Sequence, residues 1–420
     1  MFDVGADVLE RFLRYVQIDT QADEDSPTSP STAKQLDLLR LLEVELRAIG
    51  LTEVELDANG YLFGTVPSTQ PASGPDASDV PVIGFLAHVD TSPEVTGANV
   101  KPQIVRGYAG GDIVLPGDSS QVIRVDENPE LANCLGHDIV TSDGTALLGA
   151  DNKAGVAEVV TAARYLIEHP EIAHGKIRVG FTPDEEIGRG TAHFDLERFG
   201  AQYAYTLDGS TAGEIEDETF NADQVRVTFV GRAVHPGFAK GKLVNSIKLA
   251  AEFIAKLPRD GCSPETTADR EGYVHPYVIE GGVERTTVRV LLRDFDLDGL
   301  RQSEELLRRL AEEVAQSAPR ARLEFEVRET YRNMRYVLDQ HPRTVELALE
   351  AVRRVGLTPR RSAIRGGTDG AMLTAKGLPT PNIFAGEHNF HSQREWVSVQ
   401  DMVKSIEVIV ELAKLWAEGR

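Results

Sequence analysis

Cysteine is scarce in this chain, and long apolar runs are missing. The 420 residues include two cysteines, Cys134 and Cys262, which are too few and too far apart for a disulfide framework or a thiolate zinc site. Any metal is therefore expected to be held by histidine and carboxylate side chains. No apolar run approaches the length of a membrane span, and Asp3 and Asp7 stand where a secretory signal needs basic residues. The sequence predicts a cytoplasmic protein without a membrane partner.

Positive charge is also in short supply. Lysine and arginine together number 44 against 66 aspartates and glutamates, which gives a net charge of −22. Such a surface repels phosphate backbones and anionic lipid, so nucleic acid is not an expected partner either. With 41% hydrophobic and 26% charged residues, the composition is that of a globular protein, and the length predicts two or three domains.

The first part of the chain alternates between helix and strand patterns. Apolar residues at helical spacing predict helices at 7–17, 31–49 and 152–168, and short apolar runs predict buried strands at 80–87, 176–182 and 202–207. Ser31 or Thr32 is placed to cap the second of these helices. The alternation favours an α/β sheet with helices on both of its faces.

The middle of the chain has a different order of elements. Strand, helix, strand, strand, helix and strand patterns follow one another at 224–231, 244–257, 273–280, 285–292, 297–317 and 321–327. This β-α-β-β-α-β order is that of a ferredoxin-like unit. The α/β pattern then resumes, so the sequence predicts one domain formed by residues 1–220 and 333–420 and an inserted domain at 221–332.

Histidines and acidic residues follow the predicted strands of the first domain. In α/β sheets, ligand sites lie beyond the carboxyl ends of the strands. Candidate metal ligands or their neighbours in such positions are His88, Asp90, Glu185, Glu186 and Asp208, together with Asp151 before a helix and His391 near the C-terminus. Imidazole and carboxylate suit zinc and related divalent ions. The sequence therefore predicts a metal site at this edge of the sheet.

Two pairs of these residues have spacings that indicate a division of roles. His88 and Asp90 are two residues apart and point the same way in extended backbone, so the Asp90 carboxylate could orient the imidazole of a metal-bound His88. Glu185 and Glu186 are adjacent and face different directions, so one could bind metal while the other addresses the substrate. The residues alone do not decide which does which. His137 lacks comparable context and is interpreted as a surface or packing histidine.

Several of these segments occur together in one known group of enzymes. LAHVD, GADNKAG, TPDEEIG and TLDG, followed by a distal histidine, resemble the motifs of the dinuclear zinc aminopeptidase/carboxypeptidase/aminoacylase superfamily. GRAVHPGFAKGKLVNSI (231–247) and RGGTDGA (365–371) resemble the tripeptide aminopeptidases within it. The resemblance implies a metallo-aminopeptidase that hydrolyses the N-terminal residue from tripeptides with a zinc-activated water. A dipeptidase or N-acyl amino acid deacylase on the same scaffold is the alternative, and a non-catalytic metal-dependent binding protein is a third possibility.

The resemblance also implies two Zn²⁺ per subunit and a set of ligands for each ion. Asp151 would bridge the two ions. His88 and Asp208 would complete one site, and Glu186 and His391 would complete the other.

For the reaction itself, the resemblance implies that Glu185 is the general base and that Asp90 orients His88. It further implies a cis peptide bond after the bridging Asp151. Asn152, which stands next to this bond, departs from the aspartate that is more common there.

Substrate contacts are expected from the inserted domain, which the resemblance makes a lid and dimerisation domain of a homodimer. His235 would reach the active site of a partner subunit. Asn245, Arg293 and Arg365 are candidates for holding oxygens of a small peptide substrate, since arginine can bind a carboxylate with two hydrogen bonds. An ordinary surface role is the alternative for each of these three residues.

Overall fold

The computed structural model describes residues 3–69 and 80–419. The chain divides into two compact units. The first unit ends its first segment at Asp217, continues through Met334–Ser362 and begins again at Thr368, while the second unit comprises Glu218–Asn333 and Ala363–Gly367. The strand and helix patterns of the sequence do not predict that residues 363–367 belong to the second unit. Within the described residues, no helix combines the length and apolar character needed to cross a bilayer.

The first segment of the first unit contains helices and mostly short strands. In chain order they are α1 (Val4–Tyr15), α2 (Gln35–Ile49), β1 (Thr52–Leu56), β2 (Leu62–Val66), β3 (Ile83–His88), β4 (Gln103–Val105), β5 (Ile113–Val114), β6 (Val122–Ile123), β7 (Ile139–Thr141), α3 (Ala150–Glu168), β8 (Ile177–Thr182), α4 (Leu196–Phe199), β9 (Tyr203–Gly209) and β10 (Glu214–Thr219). Every residue of β2, β3 and β8 is buried. The apolar run of β3 and the mainly apolar sequence of β8, which Arg178 interrupts, are typical of strands covered on both faces.

The second unit follows with four long strands and two helices. They are β11 (Asn221–Val230), α5 (Ser246–Lys256), β12 (Tyr273–Gly281), β13 (Arg285–Asp294), α6 (Leu297–Gln316) and β14 (Arg322–Tyr331). The strands form an antiparallel sheet in the order β12-β13-β11-β14. One stripe of α6 is buried, through Leu300, Leu307, Ala311 and Val314, and this helical spacing lets it share an apolar core with Val225, Val227 and Phe229 of β11.

The remaining elements lie largely in the first unit. They are α7 (Arg335–Leu338), α8 (Pro342–Arg354), β15 (Arg360–Ile364), α9 (Asp369–Ala375), β16 (Asn382–Phe384), β17 (Glu387–His388), β18 (Trp396–Ser398) and α10 (Val399–Ala417).

A large mixed sheet organises the first unit, in the strand order β1-β2-β8-β3-β9-β16-β10-β15. Strands β8, β3, β9 and β16 are parallel neighbours, whereas β1, β2 and β10 pair antiparallel on either side of them. Two further antiparallel sheets have the orders β17-β18-β7-β4 and β5-β6. The fold is therefore mixed α/β, with a large central sheet and small separate sheets. Because β8, β3 and β9 run in parallel, their carboxyl ends meet at one edge.

The start of α2 differs from the expected one. The helix begins at Gln35, after an N-cap position at Lys34 that has no side-chain cap. Neither Ser31 nor Thr32 caps it, so that expectation was wrong. The main-chain N–H of Ser31 instead donates to both carboxylate oxygens of Asp184, at 2.9 and 2.8 Å, and the hydroxyl of Thr32 donates to a main-chain carbonyl. These long-range partners hold the segment before α2 out of the helix.

Candidate metal centre

The carboxyl ends of β3 and β9 bring three potential ligands together. His88 is the last residue of β3, and Asp208 is the residue before the last of β9. The Nε2 atom of His88 is 3.0 Å from Oδ1 of Asp151 and 3.4 Å from Oδ1 of Asp208. One ligand atom from each of the three residues falls within 4.8 Å of the others. We call His88, Asp151 and Asp208 the first cluster.

A second cluster shares Asp151 with the first and adds Glu186 and His391. The Nε2 atom of His391 is 2.8 Å from Oε2 of Glu186 and 3.4 Å from Oδ2 of Asp151. Asp151 thus turns Oδ1 toward His88 and Oδ2 toward His391. One oxygen for each cluster is the arrangement that a bridging carboxylate requires.

The backbone around Asp151 is shaped by its neighbours in the GADNKAG segment. The peptide bond between Asp151 and Asn152 is cis, as the resemblance implied. Gly155 lies so close to β9 that a Cβ atom there would be 2.0 Å from the carbonyl oxygen of Leu207 and 2.3 Å from Oδ1 of Asn152. Only glycine allows this approach, which brings α3 against the strand that carries Asp208.

Glu395 holds the same segment from the other side, and the sequence did not indicate this role. Its carboxylate is fully buried. It accepts hydrogen bonds from three consecutive main-chain N–H groups, those of Gly149 (2.6 Å), Ala150 (3.1 Å) and Asp151 (3.1 Å). A carboxylate bound to the first N–H groups of a helix offsets their unpaired positive charge. Glu395 therefore fixes the backbone from which the Asp151 side chain projects.

Asp90 and Asp184 fix the turn that carries Glu185 and Glu186. This turn follows β8 and forms a short 3-10 helix, Glu185–Ile187, after Asp184 in a left-handed conformation with φ of 60°. Oδ1 of Asp90 accepts from the N–H of Glu185 at 3.0 Å, and Oδ2 accepts from the N–H of Glu186 at 3.1 Å. Asp184 is anchored by Ser31 and by the amide of Gln35 at 2.7 Å. Neither contact is visible in the spacing of the sequence.

Asp90 also contacts His88, but its main-chain oxygen lies nearer to the ring than the carboxylate that the spacing pointed to. The Nδ1 atom of His88 lies 3.1 Å from the main-chain oxygen of Asp90 and 3.4 Å from its Oδ1. The Nε2 atom of the same ring is left to face Asp151 and Asp208. This orientation is the one that a metal-bound histidine takes when its other ring nitrogen is held by an acceptor.

The charges in the two clusters perturb one another strongly. Burial and the charge of Asp151 raise the pKa of Glu186 to about 8, and burial raises the pKa of Glu185 well above its ordinary value. Hydrogen bonds to Asp151 and Glu186 raise the pKa of His391 to about 11. Burial opposes protonation of His88, but its carboxylate neighbours, first among them Asp208, raise its pKa well above the ordinary value. So many carboxylates at close range stabilise positive charge between them.

This donor set fits divalent metal ions. Two imidazole nitrogens and three carboxylates converge in two groups that share one member, which suits zinc and related ions. Oε1 of Glu186 is buried and has no hydrogen-bond partner among the described residues, so it is free to serve as a ligand atom.

The predicted substrate-binding residues lie in the second unit, where each has local contacts. His235 accepts a hydrogen bond from the N–H of Gly237, and Asn245 caps α5 with its side-chain oxygen. Arg293 donates to main-chain carbonyls and lies over the ring of a tyrosine at 5.4 Å. Arg365 donates to main-chain carbonyls of the 267–271 loop. Their roles toward substrate stay predictions.

Comparison with known proteins gives one consistent family. Residues 141–415 match the family described as Peptidase family M20/M25/M40. Peptidase T from Geobacillus sp. (strain WCH70) is 49% identical over 412 residues, which cover 98% of this chain and 99% of that protein.

Solved structures resemble the whole fold. The aminopeptidase PepT from Bacillus cereus ATCC 10987 matches with a TM-score of 0.75 and 25% identity, covering 98% of this chain and 99% of that one. The Bacillus subtilis YXEP protein, described as a dinuclear metal binding peptidase from the M20 family, matches with a TM-score of 0.66 and 14% identity over 99% of both chains. The length and identity of the sequence match show that the chain belongs to peptidase family M20/M25/M40, within its peptidase T group.

Proposed function

We propose that this metallo-hydrolase removes the N-terminal residue from tripeptides at a centre that binds two zinc ions per subunit. The observation that carries the proposal is the position of Asp151, whose two carboxylate oxygens face separate clusters of histidine and acidic side chains. The membership of the peptidase T group makes peptides the substrate class. A dipeptidase or deacylase activity on the same scaffold is the alternative that the test below must exclude.

In this proposal each cluster holds one ion. His88 and Asp208 would hold the first, Glu186 and His391 would hold the second, and Asp151 would contribute to both. When bound, zinc lowers the pKa of a coordinated water and polarises the scissile carbonyl. Asp90 keeps the His88 ring in the orientation that presents Nε2 to the first cluster.

Glu185 is the residue that moves protons in this proposal. Its neighbour Glu186 is paired with His391 at 2.8 Å, and the two N–H groups bound to Asp90 hold both glutamates in one turn. The Glu185 carboxylate is thereby available to take a proton from the attacking water and deliver it to the leaving amine nitrogen.

We further infer that the second unit is a ferredoxin-like lid and dimerisation domain of a homodimer. Its chain order β-α-β-β-α-β and its sheet order β12-β13-β11-β14 support the ferredoxin-like assignment. The edge strand β12 exposes Tyr277 and Ile279, and α5 exposes Ile247, which supports a role in association. In the homodimer, His235, Asn245, Arg293 and Arg365 are the proposed contacts to substrate.

A panel of substrates tests the activity. We expect an unmodified tripeptide to lose its first residue, chelation to abolish the hydrolysis and added Zn²⁺ to restore it. Because an aminopeptidase must recognise a free amino group, the same tripeptide with an acetylated N-terminus should be a poor substrate. Product analysis by mass spectrometry distinguishes the outcomes. Equal cleavage of the acetylated peptide, or preference for dipeptides or N-acyl amino acids, would contradict the proposal.

Paired glutamine substitutions test the two adjacent glutamates. Glu185→Gln should lower kcat by roughly 10²–10⁴-fold, as expected for loss of a general base, and should keep both metal ions because the ligands remain. Glu186→Gln should instead weaken the binding of one ion. Steady-state kinetics and metal content of the two variants are measured side by side. Loss of metal from Glu185→Gln with full metal content in Glu186→Gln would show that the roles are exchanged.

Asp90→Asn tests the contribution of a residue that is not proposed to bind metal. The amide cannot accept from the N–H groups of both Glu185 and Glu186, and loss of such support typically costs about 10–100-fold in activity or metal affinity. Asp195→Asn is the matched control, since Asp195 also accepts a main-chain N–H but does so as the cap of α4. Wild-type kinetics in Asp90→Asn would reduce Asp90 to a structural residue.

Glu395→Gln tests the support of the bridging residue. A glutamine cannot accept three N–H groups with both side-chain atoms, because its amide nitrogen donates. We expect metal affinity to fall about 10–100-fold, as for other residues that orient ligands, measured by competition with a chelator. Glu158→Gln is the control, because Glu158 is a fully buried glutamate of α3 that accepts from Ser405. Equal metal affinity in both variants would show that Glu395 does not support metal binding.

A further inference from the structure

A third group of potential ligands lies in the first unit and contains a cysteine. Cys134 is the last residue of the 3-10 helix Pro129–Cys134, His137 follows three residues later, and Asp401 stands in the first turn of α10. One ligand atom from each residue falls within 4.8 Å of the others. This group shares no residue with the first or the second cluster.

The separations between these atoms suit a common ion better than direct contacts. Sγ of Cys134 is 3.9 Å from Oδ2 of Asp401, and Nδ1 of His137 is 4.0 Å from Oδ1 of Asp401. Two ligands of one tetrahedral zinc ion lie roughly 3.4–3.6 Å apart, given the usual zinc–sulfur, zinc–nitrogen and zinc–oxygen bond lengths. The two measured separations exceed these values by about half an ångström, and the third pair lies within 4.8 Å, so side-chain movements of up to roughly 1 Å would bring the three side chains onto one ion.

The three ligands are held by hydrogen bonds around them. The N–H of His137 donates to the carbonyl of Cys134 at 2.9 Å, and the N–H of Val399 donates to the carbonyl of Asp138 at 3.0 Å. The hydroxyl of Ser398 accepts from the N–H of Asp401 at 3.2 Å. It also contacts Nδ1 of His137 at 2.9 Å, a hydrogen bond that an ion on Nδ1 would replace. These contacts tie the turn before β7 to the start of α10.

The cysteine of this group is buried, whereas the histidine and the aspartate are partly exposed to solvent. Cys134 is 2% exposed, while the side chains of His137 and Asp401 are 26% and 13% exposed. The thiol also approaches the carbonyl oxygen of Glu130 at 3.6 Å. The sulfur is therefore shielded from solvent, and the imidazole side leaves a path by which an ion could enter.

We propose that Cys134, His137 and Asp401 form a third divalent metal site, selective for Zn²⁺ and separate from the dinuclear centre. A thiolate and a carboxylate balance the charge of the ion. Thiolate and imidazole favour zinc over the hard cations magnesium and calcium. With three protein ligands, the fourth position is left for water or for the hydroxyl of Ser398. The ion would cross-link the 3-10 helix, the turn before β7 and α10.

Cobalt substitution of the full-length protein tests this site separately from the dinuclear centre. The two clusters proposed to bind the catalytic ions contain nitrogen and oxygen ligands, so a sulfur-to-cobalt charge-transfer band in the near ultraviolet reports on a cysteine ligand. We expect the band in the Co²⁺-loaded protein and its loss in Cys134→Ser. It should persist in Cys262→Ser, the matched control, and in Asp151→Ala, which disrupts the dinuclear centre.

Zinc content gives a second readout that does not depend on cobalt. Cys134→Ser and His137→Ala should each bind one Zn²⁺ fewer per chain than the wild type at saturating zinc, and both should still hydrolyse tripeptides. Circular dichroism checks that each variant is folded, and His137→Ala covers the case in which Cys134→Ser is not. No charge-transfer band at saturating Co²⁺, a band that survives Cys134→Ser, or a band lost in Asp151→Ala would overturn the proposal.

Discussion

The site depends on one carboxylate that faces two groups of partners. Asp151 lies between His88 and His391, with a different oxygen turned to each ring. Buried carboxylates are costly unless positive charge or hydrogen-bond donors compensate them. Here three acidic side chains converge on two histidines, and the raised pKa values of His391 and Glu186 show how strongly this crowding favours positive charge. Two divalent ions would supply that charge without the protons.

The arrangement follows from how the parallel strands end. β8, β3 and β9 are neighbours in the central sheet, so the turn after β8, His88 at the end of β3 and Asp208 near the end of β9 meet at one edge. α3 completes the site because Gly155 allows it to approach β9 closely. The sheet thus supplies candidate ligands from different strands, and the helix supplies the residue between them.

Much of this site could be predicted from the sequence, and the residues that could not be predicted share a physical reason. His88, Asp208 and Glu186 were found because each follows an apolar run that is typical of a buried strand, and the structure brings them together. Glu395 was missed because its partners are 244 to 246 residues away in the chain. The contact between Asp184 and Ser31 likewise joins residues that are 153 positions apart in the chain. It keeps Ser31 outside α2, which therefore starts later than predicted.

Hydrogen bonds to the backbone separate the acidic residues of this region into two kinds. The carboxylates of Asp90, Asp184 and Glu395 are occupied by main-chain N–H groups. Those of Asp151, Asp208 and Glu186 face Nε2 atoms of the histidines instead, whereas the Asp90 carboxylate lies 3.4 Å from Nδ1 of His88. Spacing in the sequence cannot tell these kinds apart, since both occur after strands and before helices. The distinction matters chemically, because a carboxylate that holds the backbone positions the neighbouring side chain, whereas a carboxylate that faces the histidines is placed to hold a metal ion.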